Sequence, residues 1–147
     1  DKRRSYDLLY ECDSLITDRH NVSSAFLYNV YLNLALLSSE LNTSSVNIYS
    51  CYTRLTAVFP DRAEPYYYYA LYCNKTNQYE KALELLLSAS KLEYNEAKIK
   101  YPDTNYRFYG KFLYDELSVA DYWVGKYEKS KELIEQIIDD SDFSNKY

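Results

Sequence analysis

The sequence predicts a single all-α domain of packed helical hairpins, and three observations carry that prediction. Only 2 glycines and 3 prolines occur in 147 residues, so the residues that shape tight turns between strands are scarce. Apolar side chains recur at helical spacing along most of the chain. A segment that begins at Asn77 recurs in outline at Gly125, which indicates an internal repeat. We therefore expect about six or seven helices that stack as a short α-solenoid over residues 1–147.

Three apolar stripes predict three helices in the N-terminal half. Each stripe has a spacing that places its side chains on one face of a helix. The stripes comprise Leu8, Leu9, Cys12, Leu15 and Ile16; then Ala25, Tyr28, Leu32, Ala35 and Leu36; then Ile48, Cys51, Tyr52, Leu55 and Val58. We expect the third helix to end before Pro60.

Two further stripes predict the first helix of each repeat. They comprise Tyr66, Tyr69, Ala70 and Cys73, and then Phe112, Leu113, Leu117, Ala120 and Trp123. Proline disfavours a helical conformation at the preceding Glu64 and is itself favoured at the first helical position. We therefore expect the earlier helix to begin at or near Pro65. A capping box formed by Asp61 and Glu64 is the alternative start.

The second helix of each repeat begins with the same three kinds of residue. A turn residue precedes an aromatic residue by two positions, and a small residue follows three positions later, as in the second helix of a tetratricopeptide hairpin. The matched pairs are Asn77 and Gly125, Tyr79 and Tyr127, and Ala82 and Ser130. Because a small side chain lets two helices approach closely, we expect Ala82 and Ser130 at hairpin contacts.

An irregular insertion separates the two repeats. They lie farther apart than the roughly 34 residues of a regular tetratricopeptide array, and the excess falls at about residues 93–110. A single domain over residues 1–147 is expected to group its helices at about residues 5–40, 43–75, 79–124 and 127–140.

The insertion is rich in aromatic residues. Such a segment either packs back over the hairpins or displays its rings to a partner, because large apolar groups are costly to leave in water. The candidate partner surface comprises Tyr106, Phe108 and Tyr109 from the insertion and Tyr67 from a run of four tyrosines.

Composition and charge exclude several partner classes. A net charge of −5 argues against nucleic acid or an anionic membrane, and no apolar run reaches the roughly 18 residues of a membrane span. Cys12, Cys51 and Cys73 lack metal-ligand spacing, so we expect buried free thiols in a reducing compartment, the cytoplasm. The chain contains no methionine and opens on Asp1, which suggests a piece of a longer protein.

No catalytic, cofactor-binding or metal-binding set of residues is predicted. His20 is the only histidine, so neither a nucleophile–base pair nor a histidine-based metal site can be assembled. With glycine only at positions 110 and 125, a phosphate-binding glycine loop cannot form. Asp115 and Glu116 are adjacent on a predicted helix and point about 100° apart, so they do not converge on one substrate atom. The motif at Asp139–Asp142 follows a helix instead of ending a strand, which disfavours a metal site.

The peptide clamp of chaperone-binding tetratricopeptide domains is not predicted either. That clamp needs lysine and asparagine on the concave face of the first helices. The corresponding positions here fall near Tyr67, Leu71 and Asn74, and near Asp115, Val119 and Tyr122, and the lysines are missing.

Two stretches of the chain resemble a more specific family. The first is Arg62-Ala63-Glu64-Pro65, followed by an aromatic-rich helix and Tyr79-Glu80-Lys81-Ala82; the second runs from Leu113 through Asp115 and Glu116 to Ser130. Together they resemble the tetratricopeptide-like region that follows the catalytic domain in some bacterial and viral family 2 glycosyltransferases. The resemblance covers about residues 59–138, and its motif positions are Arg62, Glu64, Pro65, Tyr79, Ala82, Asp115, Glu116, Gly125, Tyr127 and Ser130.

The resemblance implies a non-catalytic accessory domain of a glycosyltransferase, because none of the family's catalytic residues falls within the chain. The implied partner is the catalytic domain of the same protein or a second copy of this one in a homodimer. A free-standing protein-interaction module unrelated to sugar transfer is the alternative. We also expect Arg62 to pair with a carboxylate on the next hairpin, that of Asp115 or Glu116.

Overall fold

The predicted all-α fold is confirmed. The computed structural model describes residues 1–18, 21–94 and 105–139, apart from the side chain of Tyr106, and this part contains helices and no strand. The α-helices are α1 (Lys2–Leu15), α2 (Ser24–Glu40), α3 (Ser45–Val58), α4 (Ala63–Lys75), α5 (Tyr79–Ala89), α6 (Lys111–Trp123) and α7 (Tyr127–Asp139). A 3₁₀-helix, Tyr106–Tyr109, directly precedes α6. Within these described ranges, every helix is too short or too polar to cross a membrane.

The helices form two compact units, Asp1–Pro60 and Asp61–Tyr147. In the first unit α2 packs against both α1 and α3. In the second unit α4 packs against α5, α5 against α6, and α6 against α7, while α4 and α6 also contact each other. Consecutive helices therefore pack as hairpins inside each unit.

One turn motif recurs three times between helices. The residues Asn42, Asn77 and Gly125 have φ angles of 48°, 60° and 84°, which is the left-handed region. After each of them the next backbone N–H donates back to the preceding helix: Thr43 to Ser38, Gln78 to Cys73 and Lys126 to Asp121, at 3.0, 2.8 and 2.8 Å. This is the Schellman arrangement, which suits glycine and asparagine because they tolerate a positive φ. The turn thus pairs α2 with α3, α4 with α5, and α6 with α7.

Ala82 and Ser130 lie at hairpin contacts, as predicted. Ala82 is completely buried on α5, which packs against α4. The Ser130 hydroxyl of α7 is buried and donates to the Ser118 carbonyl of α6 at 2.8 Å. A small residue suits both places because a larger side chain would separate the two packed helices.

The predicted apolar stripe of α1 is only partly buried, since Leu9 and Ile16 are half-buried. Leu8, Cys12 and Leu15 are exposed, Leu15 by 72%. The α1 residue that is buried is Tyr6, whose hydroxyl accepts a hydrogen bond from Asn47 at 2.7 Å. Two helical turns further along the same face, Asp13 pairs with Arg54 at 2.6 Å. Because Tyr6 and Asp13 face α3, Leu8, Cys12 and Leu15 lie on the solvent side of α1. Cys12 is therefore an exposed thiol, while Cys51 and Cys73 are buried.

The helix α4 begins near Pro65, as predicted, but Glu64 lies inside the helix instead of before it. The helix begins at Ala63, two residues before Pro65, and no capping box forms because its N-cap is Arg62 without a side-chain cap bond. Pro65 is the third helical residue, where a backbone N–H has no acceptor inside the helix, so its ring removes no hydrogen bond. Glu64 does not cap the helix because its carboxylate pairs with Arg62 instead.

Candidate protein-interaction surface

A buried polar network holds the start of α4 against the residues before α6. Arg62 is only 1% exposed, and its Nη2 lies 3.2 Å from Oε1 of Glu64. The same Glu64 oxygen accepts from the backbone N–H of Asn105 at 3.0 Å, and the Tyr109 hydroxyl accepts from that of Ala63 at 3.2 Å. Arg62 and Glu64 therefore have a structural role at the start of α4, and Pro65 next to them is fully buried. Burial raises the pKa of Tyr109, and the Ala63 N–H acts in the opposite direction.

Arg62 pairs with a carboxylate, but neither of the two expected partners supplies it. Among the described residues, Glu64 on the same helix turn pairs with Arg62. Asp115 is exposed on α6, and Glu116 instead accepts from the side-chain amide of Asn74 at 2.8 Å. Glu64 is only two residues from Arg62 in the sequence, and the two side chains are buried together.

The described end of the insertion packs back over the hairpins. Phe108 is buried, and its ring centroid lies 5.0 Å from that of Tyr67, 5.3 Å from Tyr68 and 5.8 Å from Phe112. Tyr109 is half-buried beside Tyr94. Phe108 is thus a core residue and not part of a partner surface, while residues 95–104 and the Tyr106 side chain lie outside the described part.

A partly exposed face runs along the neighbouring helices α4 and α6. It consists of Tyr67, Leu71 and Asn74 on α4 and Phe112, Asp115, Glu116, Val119 and Tyr122 on α6, and we name it the α4–α6 face. Steps of three or four residues place each set on one side of its helix. Phe112 and Val119 are each 38% exposed and Tyr122 is 52% exposed. Exposed apolar side chains therefore lie in both halves of α6, with Asp115 and Glu116 between them.

The middle of the α4–α6 face carries a group of hydrogen-bond acceptors. The Asn74 amide nitrogen donates to Glu116, and the Asn74 Oδ1 is buried without a donor among the described residues. Burial, then Glu116, Tyr68 and Asp115 raise the pKa of Tyr67 to about 12. Both carboxylates therefore act on the Tyr67 hydroxyl, which stays protonated at neutral pH.

An aromatic cluster continues the face beyond the end of α6. Trp123 stacks on Tyr79 at 5.2 Å with an interplanar angle of 12°, and Tyr122 contacts both Trp123 and Tyr127 at 5.5 and 5.3 Å. Trp123 is 58% exposed, so its assignment to a buried stripe is wrong, as is that of Phe112. Each lies near one end of α6 and contacts other rings there. Tyr79 and Tyr127, which are equivalent positions of the two repeats, therefore both belong to this aromatic cluster. Gly125 forms the turn between Trp123 and Tyr127.

Among the described residues, no group of three histidine, cysteine, aspartate or glutamate side chains could hold a metal ion. His20 and most of the Asp139–Asp142 motif lie outside those residues. Burial raises the pKa of the Cys51 thiol, and raises that of Cys73 to about 11, which keeps both thiols protonated and unreactive near neutral pH.

Comparisons with protein-family models, with curated protein sequences and with solved structures give no match to this chain, so its function has to be argued from its own residues.

Proposed function

We propose that this chain is a non-catalytic helical-repeat module that binds a segment of a protein partner along the α4–α6 face. The observation that carries the proposal is a row of exposed apolar side chains on α6, Phe112, Val119 and Tyr122, which Asp115 and Glu116 interrupt, with the half-buried Leu71 on the neighbouring α4. Single exposed apolar residues are ordinary in folded domains, whereas several on the shared face of two packed helices are typical of an interaction surface. Helical-repeat proteins use the surface of successive helices in this way.

The resemblance of residues 59–138 to a glycosyltransferase-associated region supports a more specific role. In that role the module is an accessory domain, and its partner is the catalytic domain of the same protein or a second copy. The buried free thiols Cys51 and Cys73 fit a reducing compartment. The sequence upstream of Asp1 in the parent gene tests this role. An α/β domain of about 200 residues with an Asp-x-Asp motif would support it, and any other upstream sequence would favour a free-standing interaction module.

Peptide selection tests the binding face directly. The immobilised chain is used to select binders from a random dodecapeptide library displayed on phage. Binders should lose affinity for the double variant Val119→Arg/Tyr122→Ser, since the arginine and the missing ring disrupt the apolar row. They should keep their affinity for Val46→Arg/Tyr49→Ser, which makes the same changes at the same spacing on exposed positions of α3. If no selected peptide distinguishes the two double variants, the α4–α6 face is not the binding surface.

A further inference from the structure

We infer that α7 pairs antiparallel with the α7 helix of a second copy of this chain, about a two-fold axis at the level of Leu133. The contact is made by an outward stripe of α7 that comprises Tyr127, Lys131, Ile134 and Ile138. The stripe lies outside the α4–α6 face, although Tyr127 contacts Tyr122 at one end of that face. The inference therefore does not depend on the proposed function.

The sequence repeat shows that this side of α7 corresponds to a covered side of α5. Leu86 of α5 is equivalent to Ile134 of α7, and Leu83 is equivalent to Lys131. Leu86 is completely buried and Leu83 is 8% exposed on α5, which has two helical neighbours, α4 and α6. Among the described helices α7 packs chiefly against α6, and Ile134 is 44% exposed. On α7, therefore, the position that a second helix occupies on α5 is open.

The open side of α7 is apolar at three positions. Tyr127, Ile134 and Ile138 are 61%, 44% and 73% exposed. At 3.6 residues per turn these three side chains point within about 40° of one another, next to the side that faces α6. An uncovered helix of a repeat array normally turns polar side chains to water, because an apolar face promotes association. The stripe is therefore suited to contact with another helix.

The charges beside the stripe favour a second α7 as that helix. Lys131 and Glu135 lie one turn apart on the same edge, 3.8 Å from each other, and their side chains are 67% and 58% exposed. Leu133 lies midway between them in the sequence. An antiparallel pair centred there places Lys131 of each copy opposite Glu135 of the other, so that two ion pairs form. A parallel pair would place each lysine beside the other lysine.

The same register also satisfies the apolar positions of the stripe. It brings the two Ile134 side chains together near the axis, and it brings Tyr127 of each copy beside Ile138 of the other. A two-fold contact needs this kind of self-complementary surface. Two helices of 13 residues meet over about 20 Å and bury less than the roughly 800 Å² per partner of a stable complex. The dimer is therefore weak and reversible.

Sedimentation equilibrium of the full chain tests the contact, at concentrations from about 10 µM to about 1 mM. The average mass should rise from 17.5 kDa toward twice that value. Ile138→Ser should weaken dimerisation at least about fivefold, because it removes an apolar side chain from the stripe. Val46→Ser is the matched control, since Val46 on α3 is 77% exposed and lies outside the stripe, and it should change dimerisation by less than about twofold.

Charge reversal tests the antiparallel register. Lys131→Glu and Glu135→Lys each place like charges opposite one another twice, so each variant alone should dimerise at least about fivefold more weakly. An equimolar mixture of the two variants should recover dimerisation, because every lysine again faces a carboxylate. Lys129→Glu makes the same change of charge on the far side of α7 and should leave dimerisation within about twofold.

Three results would overturn the inference. The first is an unaltered chain that stays monomeric at about 1 mM. The second is association that Ile138→Ser leaves unchanged, since a different surface would then carry it. The third is a mixture of the two charge-reversal variants that associates no better than either one alone, since the stripe would then meet some helix other than a second α7. Each of these results leaves the peptide selection, and with it the proposed function, unaffected.

Discussion

Replacing Ala82 with leucine should destabilise the protein by about 1–3 kcal/mol, because the added carbons must fit where two helices already touch. Ala82 has no exposed surface, and α5 packs against α4 on one side and α6 on the other. Neither neighbour can move away without opening a second contact. Alanine and leucine have similar helix propensities, so the change in the free energy of unfolding reports packing and not helix formation.

Urea denaturation followed by far-UV circular dichroism measures this change. The control is Ala57→Leu, the same substitution at an exposed position of α3, which should alter the free energy of unfolding by less than about 0.5 kcal/mol. Equal midpoints for the two variants would show that the α4–α5 contact has room for a larger side chain. That result would refute the assignment of Ala82 as the close-approach residue of the hairpin.

Three further predictions concern the turn, a tyrosine and the thiols. Gly125→Ala should cost about 1 kcal/mol in urea denaturation, since φ is 84° and a Cβ would meet nothing within 4 Å, so the cost is conformational; no loss would contradict it. The raised pKa of Tyr67 favours its protonated form in the folded state, so stability should fall as pH rises from about 10 toward 12. Tyr67→Phe should reduce that fall in pH-dependent denaturation, and an unchanged slope would count against the shift. Cys12 should react with a thiol reagent in the folded protein, whereas Cys51 and Cys73 should react only on unfolding; three equal rates would contradict their burial.

Features set by local chemistry could be predicted from the sequence. The spacing of Ile48, Cys51 and Leu55 places them on one buried face of α3, because a single helix defines its own period. The small residues Ala82 and Ser130 were predictable for a similar reason, since any larger group would separate two helices that the short turn forces together. Repetition of the pattern also revealed the turn residues Asn77 and Gly125.

Features set by distant partners could not be predicted in the same way. The orientation of α1 depends on the hydrogen bond between Tyr6 and Asn47 and on the pair between Asp13 and Arg54, contacts that helical period does not encode. The left-handed turn at Asn42 was not predicted, although an asparagine followed by a polar residue at the end of an apolar helix is a signal for it.

The candidate surface was predictable only in part. The repeat register predicts which positions share this face, but by itself it shows only that the lysines of a peptide clamp are missing there. The positions are Tyr67, Leu71, Asn74, Asp115, Val119 and Tyr122. The unsatisfied Asn74 oxygen could not be foreseen, because it depends on how α4 and α6 are spaced. Phe108 was expected to belong either to a packed segment or to a partner surface, and only its contacts with Tyr67 and Phe112 decide between them.

The recurring turn at Asn42, Asn77 and Gly125 has a consequence for how this chain can change over evolution. Each turn is closed by backbone groups and asks only that one residue tolerate a positive φ. The outward side chains of the two joined helices take no part in the closure. Substitutions on the outward faces can therefore change what one hairpin binds without changing its geometry. For the same reason, a duplicated hairpin can acquire a new binding specificity while it keeps the same fold.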